Sequence, residues 1–394
     1  MEAASSGELD VLASEAPLEL RTAARLERWG AGRVFSVEID REELDALRRH
    51  PSVRAVSVDE GGQGGLLESL PVIGANVVRD QGIDGRGITI AVLDTGIDTH
   101  HPDFAGRIVA ERCFCDNLDG TGCCPGGATE RAGAGSAEDD QGHGTHVAGI
   151  AAGGGANAPR GVAPMAKLVA VKVMDAQNRF RSFTQIFRAL EWIANERLDV
   201  DVINMSLGSF AVFAPDQCRS AAVSVGLEPV VRRLRDRGVL ITASTGNDGN
   251  TTGTWLPSCM DDVLGVGATY DTPGNHCGTV SNTPDDVACF TNSSGSMDLV
   301  APGVSIFASQ RGGGAITLTG TSMAAPHVAG TIALMKQAGG RSLSADFIRS
   351  VLAQTGKPVT DTRNSLTFPR IDAQAAVAAT PAPPPGSRRR VVRP

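Results

Sequence analysis

A chain of 394 residues can bury a full-sized core and has room for two or three domains. Its 47 glycines and 4% aromatic content suit a loop-rich α/β protein packed with small side chains, and its formal net charge of −8 gives no general attraction for phosphate backbones or anionic membranes. Nucleic acid and membrane are therefore not expected partners, and no run approaches the roughly 20 apolar residues of a membrane-crossing helix.

The first sixty residues are charged and poor in glycine, unlike the rest of the chain. Glu19–Trp29 reads as a charged helical stretch, and Arg33–Ile39 alternates, with Phe35, Val37 and Ile39 on one face. Glu42–Arg49 places Leu44 and Leu47 on a helix, and Val53–Val58 alternates again. This predicts strand, helix, strand in a small α+β domain which, with its connector, occupies residues 1–65. The connector, Glu60–Gly65, is polar and glycine-rich, able to thread a cleft as extended peptide. Met1–Arg21 is mixed and acidic rather than the basic-then-apolar pattern of an export signal.

From Gly87 strands alternate with helices: Ile88–Leu93, His143–Ala152, Lys167–Val173, Thr184–Leu198, Val202–Met205, Gln217–Arg237, Val239–Ala243 and a final apolar helix from Ser322. That alternation predicts an α/β domain over residues 66–379, a mostly parallel sheet with helices on both faces and ligands bound beyond the carboxyl ends of its strands. Beyond Ala379, Thr380–Gly386 is a stiff proline-rich linker followed by Arg388, Arg389, Arg390 and Arg393, so residues 380–394 read as a solvated tail.

Ser322, in Gly320-Thr321-Ser322-Met323-Ala324-Ala325-Pro326-His327, has the small neighbours an exposed nucleophile needs, and the helix start supplies free N–H donors. A serine hydroxyl needs a base to take its proton. His143 in Gly142-His143-Gly144-Thr145-His146 and Asp94, ending the strand Ile88–Leu93, are the candidate base and the carboxylate that orients it. Asn247, on the turn Gly246-Asn247-Asp248-Gly249 after a strand, offers an amide donor for the charge that develops on a carbonyl oxygen.

These segments, with Ser244–Gly249 and Asn204-Met205-Ser206-Leu207-Gly208, succeed one another in the order Asp, His, Ser, and resemble the subtilisin-like serine proteases over roughly Leu66–Ala379. The resemblance implies a subtilisin-like fold and a serine endopeptidase acting on protein or peptide substrates without a cofactor for its chemistry. It implies Asp94, His143, Ser322 and Asn247 as the catalytic set, and Ser206, Leu207, Gly208 and Gly246 as an edge to which substrate adds as a strand. Asp248 falls near the pocket for the side chain before the cut, where it either favours a basic or polar residue or is a solvated turn residue. Leu47–Val53 with Val58-Asp59-Glu60 is similar to the end of an inhibitory propeptide, so the N-terminal domain is expected to be the enzyme's own inhibitor in a self-processing zymogen. An accessory domain is the alternative. A catalytically silent binding scaffold and a peptide ligase are the competing functions.

Related proteases often bind calcium, and Asp103 matches a position that supplies a ligand in many. The loop Gly153–Pro159, however, offers a single side-chain oxygen donor, Asn157, against the six to eight oxygens calcium needs. His143 and His146 lack the glutamate between them and the third ligand of hydrolytic zinc sites, so no metal is assigned there, and His100, His101, His146 and His327 read as structural. The even count of eight cysteines suits an oxidising compartment, hence a secreted enzyme whose signal peptide lies outside this sequence, with a cytoplasmic home as the alternative. Cys113, Cys115, Cys123 and Cys124 are expected in two disulfides rather than around zinc, with Cys218–Cys259 and Cys277–Cys289 as the other pairs.

Overall fold

The computed structural model describes residues 8–13, 26–29, 34–38 and 53–59 as backbone strands, then 66–272 and 284–382. The chain forms two compact units, Met1–Gln63 and Gly64–Pro394.

The first unit holds four strands: β1 (Glu8–Ala13), β2 (Leu26–Trp29), β3 (Val34–Glu38) and β4 (Val53–Asp59). They form a sheet in the order β2-β3-β1-β4. β1 pairs antiparallel with both β3 and β4, in keeping with the alternation of Val34–Glu38 and Val53–Asp59. The expected helix over Glu19–Trp29 fails at its end. Leu26–Trp29 pairs antiparallel with Val34–Val37, a tertiary pairing that overrides a weak local helical preference. The expected helix Glu42–Arg49, the connector 60–65, Cys277 and the arginines of the tail lie outside the described residues.

The second unit opens with α1 (Leu66–Val72), α2 (Ala75–Asp80), β5 (Thr89–Asp94), β6 (Ile108–Phe114), β7 (Glu130–Ala132), α3 (His143–Ala152), β8 (Lys167–Lys172), α4 (Phe183–Glu196) and β9 (Val202–Met205). It continues through β10 (Val212–Phe213), α5 (Pro215–Ser224), α6 (Leu227–Asp236), β11 (Leu240–Ser244), β12 (Thr254–Trp255), β13 (Leu264–Thr269), β14 (Leu299–Pro302), β15 (Ile306–Gln310) and β16 (Gly314–Leu318). α7 (Thr321–Gly339), α8 (Ala345–Thr355), β17 (Lys357–Asp361), β18 (Leu366–Arg370) and α9 (Ala373–Ala378) complete it. Ten strands form the main sheet in the order β17-β18-β14-β13-β11-β9-β5-β8-β6-β7, parallel from β18 to β6 with antiparallel strands at both edges.

Side chains alternate across the sheet, so each central strand feeds two cores and reads as a continuous apolar run. Ile90 and Val92 of β5 pack with Val147 of α3 and Val328 of α7, whereas Ala91 and Leu93 pack with Ile186 of α4 and Val230 of α6. The single helix expected over Gln217–Arg237 is two, divided at Gly226, whose left-handed φ of 75° turns the chain between α5 and α6. Cys218 of α5 is bridged to Cys259. Two short-loop disulfides, Cys113–Cys124 and Cys115–Cys123, replace the zinc alternative, and Cys289 is itself disulfide-bonded, its expected partner Cys277 lying outside the described residues.

The topology sets the carboxyl ends of β5, β9 and β11, three adjacent parallel strands, beside one another. Asp94 ends β5, Ser206 comes directly after β9, and Gly246-Asn247 lie just beyond β11. The N-termini of α3 and α7 bring His143 and Ser322 to the same edge.

Candidate functional site

Asp94 is fully buried, and its Oδ1 accepts hydrogen bonds from His143 Nδ1 at 2.7 Å and from the Thr95 amide at 2.8 Å. Its Oδ2 is buried with no hydrogen-bond partner among the described residues. This approach requires glycine at position 144. A Cβ there would stand 2.1 Å from the Gly96 carbonyl oxygen and 2.9 Å from Asp94 Cβ, so α3 could not start beside β5. Burial opposes charge on the His143 ring, but the Asp94 carboxylate, by its charge and its hydrogen bond, and the charge of Asp139 together raise the pKa above its ordinary value of 6.5.

Asp139 was not singled out by the sequence, yet it builds the start of α3. Its Oδ1 accepts from Thr95 Oγ1 and from the Gln141 and Gly142 amides, and its Oδ2 from the Thr145 amide and hydroxyl. These carboxylate contacts satisfy donors that a helix start leaves open. Thr95 Oγ1 in turn accepts from the Gly144 amide. Beneath them the buried Lys172 donates to the Thr95 and Met174 carbonyls and to Asp140 Oδ1.

Ser322 is buried at the start of α7, 9% exposed, its Oγ donating to the Ser206 carbonyl at 3.4 Å. Pro326 lies four residues on and has no N–H to give the Ser322 carbonyl, which accepts instead from Ser206 Oγ at 2.7 Å. Asn204 Nδ2 donates to that same Ser206 Oγ. Ser206 therefore ties β9 to the helix start from both its backbone and its side chain. No hydrogen bond joins His143 to Ser322 among the described residues, but both line one cleft of about 550 Å³ together with Asn247, Ile316, Leu318 and Thr319. Such bonds are commonly long before substrate binds.

Asn247 is exposed, and its orientation is set by Thr321, another residue the sequence did not single out. Asn247 Oδ1 accepts from both the amide and the hydroxyl of Thr321 at 2.9 Å, which leaves Nδ2 as the group free to donate. The Thr321 hydroxyl also accepts from the Gly246 amide. Asp248, considered as an exposed carboxylate for a basic substrate residue, is engaged otherwise. Its Oδ2 accepts from Trp255 Nε1 at 2.7 Å and from Asn292 Nδ2 at 2.9 Å.

His146 Nε2 contacts the Ile306 and Ile316 carbonyls, pinning α3 to the β15–β16 hairpin. His327 bonds to the Met323 carbonyl and to Ser69 Oγ. Burial lowers both pKa values to about 4, so these rings are neutral and structural.

The Asp103 carboxylate does not fit a cation. Its Oδ1 accepts from the Ala156 and Asn157 amides and its Oδ2 from the Ala158 amide and Ser309 Oγ, so positive ends of donors, not oxygens, surround it. Asp98, His100 and Glu138 bring potential ligand atoms within 4.8 Å of one another, but Asp98 accepts from the His100 and Gly312 amides and Glu138 from Thr99, which accounts for the cluster as loop hydrogen bonding.

Residues 85–372 match the family model described as the Subtilase family. An alkaline protease of Shouchella clausii is 34% identical over 338 residues, 84% of this chain and 76% of that one. Subtilisin BL of Lederbergia lenta is 38% identical over 264 residues, 67% and 81% of the two chains, and the major intracellular serine protease of Bacillus subtilis (strain 168) is 33% identical over 276 residues, 69% and 75%. A crystal structure of a cold adapted subtilisin-like serine proteinase superposes with a TM-score of 0.56 at 27% identity, covering 73% of this chain and 90% of that one.

Proposed function

This chain belongs to the subtilase family and is a serine endopeptidase, and from that premise we propose that it hydrolyses peptide bonds through an acyl-enzyme on Ser322. The observation that carries the assignment of roles is the 2.7 Å bond between Asp94 Oδ1 and His143 Nδ1 at the mouth of a cleft shared with Ser322 and Asn247. With Nδ1–H donated to Asp94, the other ring nitrogen is the acceptor and takes the Ser322 proton as Oγ attacks the carbonyl carbon. The imidazolium so formed is stabilised by the Asp94 and Asp139 charges. It then returns the proton to the leaving amine, and water repeats the sequence on the ester. Asn247 Nδ2 and the Ser322 amide donate to the oxygen that becomes negative, a contribution of about 3 kcal/mol from the side chain alone. Substrate adds along Ser206–Gly208, with Gly246 opposite.

Residues 1–65 act as an inhibitory domain with its connector, residues 66–379 as the peptidase and 380–394 as a tail. The reading as a secreted zymogen is supported by the absence of free cysteines among the described residues and by the glycine-rich sequence of the connector. Fluorophosphonate labelling tests the chemistry. Stoichiometric modification of Ser322 in the processed protein, abolished by Ser322→Ala, is expected, and folded protein that stays unlabelled would remove the enzyme assignment. N-terminal sequencing tests the zymogen: wild type cut within residues 59–66 and Ser322→Ala left intact are expected, whereas equal processing of both would defeat it.

A further inference from the structure

Substrate class at this site rests on the Ser322 acyl-enzyme reading. With the acyl carbon at Ser322 Oγ and its oxygen at Asn247 Nδ2, the residue donating that carbonyl carries its side chain on the adjacent Cα. That side chain is directed to the crevice beyond the carboxyl ends of β9 and β11, whose parallel pairing ends at Met205 and Ala243. Both walls of the crevice are bare backbone, Gly208 beyond β9 and Gly246 beyond β11.

That crevice already holds a side chain. The Trp255 ring lies against both glycines: a Cβ at Gly208 would stand 2.7 Å from Trp255 Cε3, and a Cβ at Gly246 would stand 2.5 Å from Trp255 Cδ2 and 2.6 Å from Cε2. Either added atom would overlap the indole, so the two glycines and the tryptophan fit as a set. The ring is fixed at its far edge by the bond from Nε1 to Asp248 Oδ2, which Asn292 Nδ2 holds in turn. Its backbone is fixed by the bond from the Trp255 amide to the Thr245 carbonyl and by the pairing of Trp255 with Val212.

We propose that Trp255 is a built-in occupant of the crevice for the residue preceding the scissile bond, and that it restricts this protease to cutting after glycine or alanine. A leucine, phenylalanine or lysine side chain and the indole would claim the same volume, and moving the ring out breaks its bond to Asp248 and opens a slot lined by two glycines. The chain's own connector meets the restriction, since Glu60-Gly61-Gly62-Gln63-Gly64-Gly65-Leu66 offers four glycines where self-cleavage is proposed.

The test is a set of fluorogenic tetrapeptides, identical except for glycine, alanine, leucine, phenylalanine or lysine before the cleaved bond, assayed with the processed enzyme. Wild type is expected to show kcat/KM for alanine about 100-fold above leucine and phenylalanine, and Trp255→Gly to raise the latter two by about tenfold or more. Wild-type cleavage after leucine or phenylalanine as fast as after alanine overturns the proposal by itself, whether or not the variant folds. So does a folded Trp255→Gly with an unchanged ratio. Fluorophosphonate labelling of the same samples separates the two levels: labelled enzyme without discrimination sinks the crevice proposal alone, and unlabelled enzyme sinks the Ser322 reading.

Discussion

His143 and His146 stand three residues apart at the start of α3, yet the protein shifts their pKa values in opposite directions. His143 is raised above 6.5 and His146 lowered to about 4, and desolvation acts on both. The difference is the partner. His143 Nδ1 meets a buried carboxylate, whereas His146 meets two carbonyl dipoles, which orient a neutral ring but offer no charge to balance a proton. Burial alone favours a neutral ring; burial against an anion favours the protonated one, which is what the proposed general base would need to hold a proton between two chemical steps. The linkage to stability has opposite signs as well. The stabilisation from His143 is complete below 6.5 and is lost as pH rises through its raised value, while that from His146 is complete above 6.5 and is lost as pH falls towards about 4.

The harshest way to break the contrast is to give His143 a neutral partner. Asp94→Asn leaves the shape of the site and removes its charge, so turnover of a peptide substrate should fall by about 10,000-fold with KM nearly unchanged. The wild-type pH profile of kcat/KM should rise through an apparent pKa above 6.5 to a plateau on the alkaline side, because the neutral ring is the active form. A variant within tenfold of wild type, assayed after removal of any co-purifying protease, would show that the Asp94 charge does not serve catalysis.

The Asp94 and His143 halves of this contrast were legible in the sequence because each sits in a short motif whose order and flanking glycines carry chemistry. The sheet and its crossover helices were legible too, because strands buried on both faces read as unbroken apolar runs such as Ile88–Leu93. The features that escaped are those that converge from afar. Of the acidic pair Asp139 and Asp140, only the fold shows that Asp139 turns inward onto Thr95 and Thr145 while Asp140 meets Lys172. Trp255 lies 47 residues beyond Gly208, and nothing local marks its ring as the filling of a crevice. The strand Leu26–Trp29 was missed for the same reason, since it exists only through its pairing with β3.

The neutral side of the contrast is sharpened by acid. His146 and His327, both lowered to about 4, must take up protons on unfolding below 6.5, so each should cost about 2 kcal/mol of stability between pH 7 and pH 5. Urea unfolding of the inactive Ser322→Ala protein, which cannot digest itself, provides the measurement. Burial raises the Asp271 and Asp298 carboxyls to about 7 and about 6, which adds stability over the same range, so the histidine share is read as a difference: relative to its parent, His327→Gln should gain about 2 kcal/mol between pH 7 and pH 5. A difference between the two proteins that stays the same from pH 7 to pH 5 would mean that the His327 ring is not buried as a neutral group.

The smallest expected effect asks whether a neutral hydrogen bond can position the Asn247 amide as Asp94 positions His143. Thr321 gives its amide and hydroxyl to Asn247 Oδ1 and accepts the Gly246 amide, so it holds the side-chain amide of Asn247 with Nδ2 facing the cleft. Thr321→Val keeps the volume and the amide bond but removes the hydroxyl, leaving Asn247 free to rotate and the buried Gly246 amide without its acceptor. Turnover should drop by about tenfold, the equivalent of one modest hydrogen bond, with KM and the apparent pKa of the pH profile unmoved because His143 is untouched. Thr321→Ser, which restores the hydroxyl, should restore most of the rate. The background of Asn247→Ala, itself lowered by about 100- to 1,000-fold, separates positioning from packing. If Thr321 works through Asn247, adding Thr321→Val there should cost almost nothing further, whereas a full additional tenfold loss would assign the hydroxyl to the packing of α7 instead.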